Sequence, residues 1–224
     1  NESAGGIESF YHSLEMAFLT ALIGTAFVFV YAYMMEKTSG FGLLRKYGKL
    51  LSVLPLALPG MVIGLSFIFF FNDRENPLHF IYGTIIILVL SNILHYFSVP
   101  FLTASSCLKK LDKEYESVSD SMNVPRWKTF LRVSVPLSLP AILEIFMYYF
   151  VNAMVTVSAV VFLYSAGFRI ASISITHMEE AGNIAQAAAM SLLILIINIV
   201  VRVLYEVAVK AVRQRGQPAA GDGS

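Results

Sequence analysis

Charge is scarce in this chain. Of its 224 residues 14% are Asp, Glu, Lys or Arg, where a soluble domain carries roughly 25%. Hydrophobic residues make up 57% and the mean hydropathy is +0.69, so lipid rather than water is the main solvent. Cysteine is nearly absent. Cys107 alone excludes an intrachain disulfide framework and a cysteine-based zinc cluster. The four histidines show no HExxH spacing, no Gly-rich phosphate loop occurs, and no paired acid and base stand together. The chain is therefore not expected to hydrolyse ATP, to be an enzyme, to hold a metal or cofactor, or to bind nucleic acid. The opening NESAGGIESF lacks a basic region ahead of an apolar one, so this stretch is not expected to be a signal peptide. Without an initiator Met, the numbering is expected to start inside a longer polypeptide. Residues 216–224 are expected to form a disordered tail.

What is present is long apolar sequence. Five runs free of charge cover 16–35, 50–72, 76–108, 145–168 and 181–201. Each reaches the ~20 residues a helix needs to cross a ~30 Å hydrocarbon core. None alternates as a membrane barrel strand does. The expectation is an all-α integral membrane protein, one domain over 1–215, with five spans at about 14–36, 50–72, 77–106, 137–166 and 181–205. Lys37, Arg45, Lys46 and Lys49 follow the first run. Lys109, Lys110, Lys113, Arg126, Lys128 and Arg132 lie between the third and fourth, and Arg202, Lys210, Arg213 and Arg215 follow the fifth. Arg74 and Arg169 alone fall on the other side. The positive-inside rule then places the N-terminus outside and the C-terminus and the 108–136 insert in the cytoplasm.

That insert reads LKKLDKEYESVSDSMNVPRWKTFLRVSVP. Asp112 suits an N-cap, with Glu114 and Glu116 in a first helical turn where carboxylates favour the helix dipole. Asn123 suits a left-handed residue closing that helix. Val124 before Pro125 is pushed to extended geometry, and Pro125 suits the first turn of a second helix. An ordinary solvated loop gains nothing by exposing Trp127 and Phe130, so a docking knob is the sharper reading. The insert resembles the EAA loop of permease subunits in binding-protein-dependent ABC importers. That loop has Glu-Ala-Ala, three residues, Gly, nine residues, then a hydrophobic-x-hydrophobic-Pro ending. Val133, Val135 and Pro136 fall on the ending and Asn123 on the glycine. Ser117, Val118 and Ser119 fall on Glu-Ala-Ala, with Glu116 one residue early. The resemblance extends to LPLALPGMVIGLSFIFFFN, to NAMVTVSAVVFLYS and to AQAAAMSLLILIINIVVRVLYE. The wording is similar to permeases for 2-aminoethylphosphonate uptake, as the second half of a fused permease without its first helix.

The resemblance implies a type I importer bundle with a cytoplasmic two-helix coupling loop. It implies ATPase-coupling roles for Glu116, Ser117, Asn123, Pro125, Arg126, Trp127 and Phe130, with Arg126 and Glu116 as rim charges. Its implied partners are an ATP-hydrolysing subunit, a second permease half or an identical copy, a periplasmic substrate-binding protein and the lipid of a bacterial inner membrane. Cargo of 2-aminoethylphosphonate or a related phosphonate is the leading expectation. Ferric iron or another small anion is the alternative within the family, and a secondary transporter the alternative outside it.

In the apolar runs, small residues at four-residue spacing (Gly60 and Gly64; Ala17, Ala21 and Thr25; Ala181, Ala185 and Ala189) read as helix-packing stripes. Pro55 and Pro59 are expected to kink the second span. Glu144, Tyr148, Asn152 and Thr156 recur every four residues and share one helical face. They serve either as interhelical hydrogen bonds or as a polar lining of the translocation path, with Asn92, His95 and Asn198 as further candidates. The spans carry no Lys or Arg away from their ends, so tight phosphonate recognition belongs elsewhere, most simply on the binding protein.

Overall fold

The computed structural model describes residues 2–37, 42–112, 114–164 and 168–216. Among these, every regular element is helical and no strand occurs. Helix α1, Glu2–Lys37, is the axis of the bundle. Its 36 residues extend ~54 Å at 1.5 Å per residue, enough to cross a bilayer with turns to spare. Met16, Ala17, Ala21, Val28 and Ala32 on it are fully buried. The small residues let α9, Leu139–Val155, lie close against it. Fully buried Tyr149 of α9 packs over Gly24, where an added Cβ would come 3.0 Å from its ring. With little hydrophobic drive between helices in lipid, such close approach holds the bundle together. The other continuous long helix, α11, Ile184–Gly216, turns Leu192, Leu195, Ile196, Ile199, Val203 and Leu204 outward, an exposed apolar stripe.

The remaining expected spans are broken. α2, Gly42–Val53, passes through a tight turn, Leu54–Ala57, to α3, Gly60–Phe71. The two halves meet at 110°, far beyond a kink, because Pro55 and Pro59 lack the N–H groups that would carry the helix through. α4, Ile85–His95, and α5, Ser98–Lys110, meet at 58°. Two helices are long and apolar enough to cross a membrane alone, and up to five spans result if each bent pair counts as one. The expected fourth span to 166 ends as a helix at Val155. Residues 156–164 instead form turns, with Ala159 and Val160 fully buried. Irregular backbone at membrane depth persists only where protein or a watered cavity surrounds it. Here Ser91 Oγ donates to the Ala159 carbonyl at 2.9 Å and Ser172 Oγ to the Thr156 carbonyl at 2.6 Å.

This segment also revises the reading of Gly60 and Gly64. Their open side receives the 158–159 backbone rather than a second helix. A Cβ at Gly64 would lie 2.8 Å from the Ala159 oxygen, and one at Gly60 would collide with Ser158 Oγ and meet the Ala159 nitrogen at 3.1 Å. A further helix, α10, Ala171–Glu180, precedes α11, whose apolar span runs 184–211 beside the expected 181–205. The two are joined through Gly182 at φ +79°. α11 continues to Gly216, one residue into the expected tail, and the remainder of that tail, 217–224, lies outside the described residues.

Candidate functional site

The 108–136 insert folds as two short helices about a defined turn. α6, Glu114–Ser121, opens with the Glu114 N–H donating to Asp112 Oδ1 at 3.1 Å, the expected cap. It closes with Asn123 at φ 53°. The Asn123 N–H donates to the Asp120 carbonyl at 3.2 Å and the Val124 N–H to that of Ser119 at 2.9 Å. That pair is a Schellman motif, and the same pair recurs at Gly182, from Gly182 to Glu179 and from Asn183 to Met178. Asn123 thus does what glycine does elsewhere in this chain. Pro125 stands at the cap of α7, Arg126–Thr129, one residue before its first turn. α7 runs through a wide turn, Phe130–Ser134, into α8, Val135–Leu137, and so into α9 at 77°. Buried Ser119 and Thr129 hydrogen-bond to each other across the elbow. Arg126 pairs with Asp120 at 3.4 Å on the exposed side.

The expected coupling residues divide between two faces. Trp127 is 61% exposed, and Val118 and Met122 beside the turn are exposed as well. Asn123 and Pro125 share this outward side and border a groove of about 680 Å³. Arg126 and Ser117 are exposed as well but line a second groove, of about 410 Å³, together with Glu116 and Lys37. Phe130 does not belong to it. Its ring packs on Tyr33 and Phe29 of α1, centroids 4.7 and 5.9 Å away, so it faces the bundle. Nor is Glu116 a rim charge: it pairs with Lys37 at 3.0 Å, whose side chain is 5% exposed. Lys37 also donates to the Leu111 carbonyl at 3.0 Å. On the other side of the same α1 terminus, Glu36 receives Lys49 at 2.7 Å and Ser105 Oγ at 2.6 Å. Arg45 donates to the Met35 and Glu36 carbonyls at 2.7 and 3.2 Å, satisfying carbonyls a helix end leaves open. By the sequence alone these cations set only the topology. The adjacent Glu36 and Lys37 closing an apolar run were the available signal.

The interior candidates are less gathered. Glu144 is exposed and borders a groove of about 550 Å³ whose lining includes Lys110, Ser106 and Tyr205. Tyr148 meets Tyr96 edge-on at 6.3 Å, and Tyr96 lies 4.5 Å from the His95 ring, so α9 and the α4–α5 bend share one aromatic and polar cluster. Asn152 Nδ2 donates to the Tyr148 carbonyl at 2.7 Å. Thr156 has left the helix and its buried hydroxyl has no partner among the described residues, so the four-residue stripe ends at Asn152. Asn92, fully buried, turns toward Met16 of α1, with Nδ2 3.5 Å from its sulfur. Asn198 is half-buried on α11. No group of three or more His, Cys, Asp or Glu side chains converges among the described residues.

Residues 29–214 match the family of binding-protein-dependent transport system inner membrane components. The chain belongs to this family. It is 30% identical over 91% of its length to the ferric transport system permease protein FbpB of Actinobacillus pleuropneumoniae, covering 29% of that protein. It is 34% identical over 75% of its length to a putative ferric permease of Haemophilus influenzae, covering 26% of it. It thus spans less than a third of those relatives. A putative 2-aminoethylphosphonate permease, PhnV of Salmonella paratyphi A, is 26% identical over 77% of the chain and 66% of that protein. Among solved structures, a bacterial ABC transporter importing the acidic polysaccharide alginate matches 92% of this chain and 79% of its own, with TM-score 0.76 at 14% identity. The MetNI methionine ABC transporter matches 92% and 95%, with TM-score 0.72 at 12% identity. The fold is that of an ABC importer permease, and the chain is a membrane transport component rather than an enzyme.

Proposed function

We propose that this permease segment carries cargo across a bacterial inner membrane in an ATP-driven importer, and that a separate ATP-hydrolysing subunit grips it at 108–136. The observation that carries this reading is the outward face of the knob. Trp127, Val118 and Met122 are exposed around an Asn123 turn whose hydrogen bonds fix the angle between two helices, and the knob is covalently continuous with α5 and α9. Exposed aromatics on a rigid mount are what a docking interface needs. A second permease half or an identical copy completes the path, and a periplasmic binding protein delivers cargo. The N-terminus is periplasmic, the C-terminus and the knob cytoplasmic, and 1–215 act as one permease domain. Replacing Ser121 with Cys and removing Cys107 tests the orientation. An impermeant thiol reagent added from the periplasm is expected to leave Ser121→Cys unlabelled, and ready labelling would reverse it.

Two cargo readings follow from the relatives. Ferric iron is supported by the higher identity of the ferric permeases, 30% and 34% against 26% for PhnV. 2-Aminoethylphosphonate is supported by the wording of the core helices and by the PhnV permeases. The interior cluster of Tyr96, Tyr148, His95 and Asn152 presents phenol, imidazole and amide groups and no Lys or Arg, which gives no special hold on a phosphonate and accommodates a hard cation as readily. Deleting the permease gene and measuring uptake of labelled ferric iron and labelled 2-aminoethylphosphonate separates them. Ferric uptake is the expected loss. Loss of phosphonate uptake alone moves the assignment.

A further inference from the structure

The knob touches more than the two helices it joins, and its firmest tie is to α1. Lys37 is 5% exposed at the side chain and spends its charge on Glu116 of α6 and the Leu111 carbonyl. Phe130, just after α7, lies on Tyr33 and Phe29, one and two turns back along α1. The neighbouring Glu36, 6% exposed, is held by Lys49 of α2 and Ser105 of α5. Two adjacent residues of one helix are therefore bound to opposite sides, one to the docking knob and one to the bundle. A charge buried to this extent is costly once its partner withdraws. Lys37 makes partial separation of knob and α1 unfavourable, so the two are either engaged or fully apart, and a discrete element of that kind is what transmits a bias between sites.

We infer that α1 is the transmission rod of this permease, and that Lys37 and Glu116 are positioning residues that carry the motion of the knob into the buried centre of the bundle. This rests on the reading of 108–136 as the ATPase-coupling loop, and it adds a route that the covalent path through α5 and α9 does not supply. The motion reaches Gly24 and Tyr149, where an added Cβ on α1 would come 3.0 Å from the ring on α9.

The test uses the full permease with its ATPase, reconstituted in vesicles, and reads cargo moved per ATP hydrolysed. Lys37→Gln and Glu116→Gln are each expected to keep ATPase co-purification and ATP turnover while lowering cargo per ATP about threefold or more. The exchanged pair, Lys37→Glu with Glu116→Lys, is expected to recover most of that ratio, and it serves where a single variant fails to insert. A cysteine pair at 37 and 116, with Cys107 replaced, is expected to be uncoupled until a short bifunctional thiol reagent bridges it and coupled afterwards. Wild-type cargo per ATP in the single variants, an exchanged pair that inserts and stays uncoupled, or a bridged pair that stops transport would each overturn the inference. If Trp127→Ala also leaves ATPase binding untouched, the coupling-loop reading itself has failed. If Trp127→Ala abolishes binding while the Lys37 and Glu116 variants stay coupled, only the role of α1 has failed.

Discussion

At the terminus of α1, Glu36, Lys37, Lys49 and Glu116 all find partners at 2.7–3.0 Å. In the interior, the Asn92 and Asn198 amide oxygens, His95 Nδ1 and the Thr156 hydroxyl are buried and meet no hydrogen-bond partner among the described residues. Polar atoms cost free energy when taken out of water, and pairing is what offsets the cost. The terminal network is complete within this chain, so it acts as structure. The interior set is enclosed by this chain itself and has no partner among the described residues, so a trapped water or a shift of the surrounding side chains is what can complete it. The difference separates contacts that this chain completes by itself from buried polar atoms whose pairing it leaves open.

The largest effect is expected where irregular backbone meets a helix. Gly64→Val places a branched side chain against the Ala159 carbonyl, 2.8 Å from the position of its Cβ. Backbone cannot swing aside as a long side chain does, and overpacking of this kind costs about 1–3 kcal/mol or more. Thermal unfolding in detergent should show a steep loss, whereas Gly42→Ala, with nothing within 4 Å, should match wild type. Equal stability in both variants would mean that 156–164 does not pack on α3.

Next come the two faces of the knob. Trp127→Ala should weaken ATPase co-purification about tenfold or more, roughly 1.4 kcal/mol, and leave the melting temperature alone. Phe130→Ala should do the reverse. A fully buried Phe→Ala costs about 3–5 kcal/mol, and half-buried Phe130 should cost roughly 2. Equal loss of ATPase binding in both would return Phe130 to the docking face. Asn123→Val should strain the left-handed turn by about 1–2 kcal/mol and lower coupled ATP turnover, while Asn123→Gly should preserve it, since Gly182 closes the same motif.

Local chemistry made the knob legible. Asp112, Asn123 and Pro125 act within a few residues of themselves, so their types alone announce a cap, a left-handed turn and a helix start. The helical membrane class was equally open, because run length and composition report on lipid directly. What was hidden depends on contacts distant in sequence. TVSAVVFLY at 156–164 has the composition of a spanning helix, and only Gly60, Gly64, Ser91 and Ser172 show why it is not one. Pro55 and Pro59 announce a disturbance but cannot say whether it is a kink or a 110° turn. Glu116 and Phe130 were rightly placed on the knob and wrongly faced, since which side meets α1 is set by Lys37 and Tyr33, about eighty and a hundred residues away.

The smallest effect, and the finest division between fold and path, is expected at Asn152. Its Nδ2 bonds the Tyr148 carbonyl one turn back at 2.7 Å, a contact its own helix supplies and that joins no second element. Removing it therefore strands nothing across the bundle. Leucine fills a similar volume, and Asn152→Leu should shift stability by under about 1 kcal/mol. Asn152 nevertheless stands one turn from Tyr148, whose ring leads through Tyr96 to His95, and the reading of this face as the path puts cargo past that cluster. Initial uptake rates should fall a few-fold, with the amount of assembled transporter and basal ATP turnover unchanged. Asn92→Leu is the contrast. Asn92 is fully buried against Met16 with an unpartnered oxygen, so replacing it should leave stability level or raise it and should not slow uptake. Should Asn152→Leu transport at the wild-type rate while Asn92→Leu slows it, the path runs along the Met16 side of α4 and the α9 face is packing.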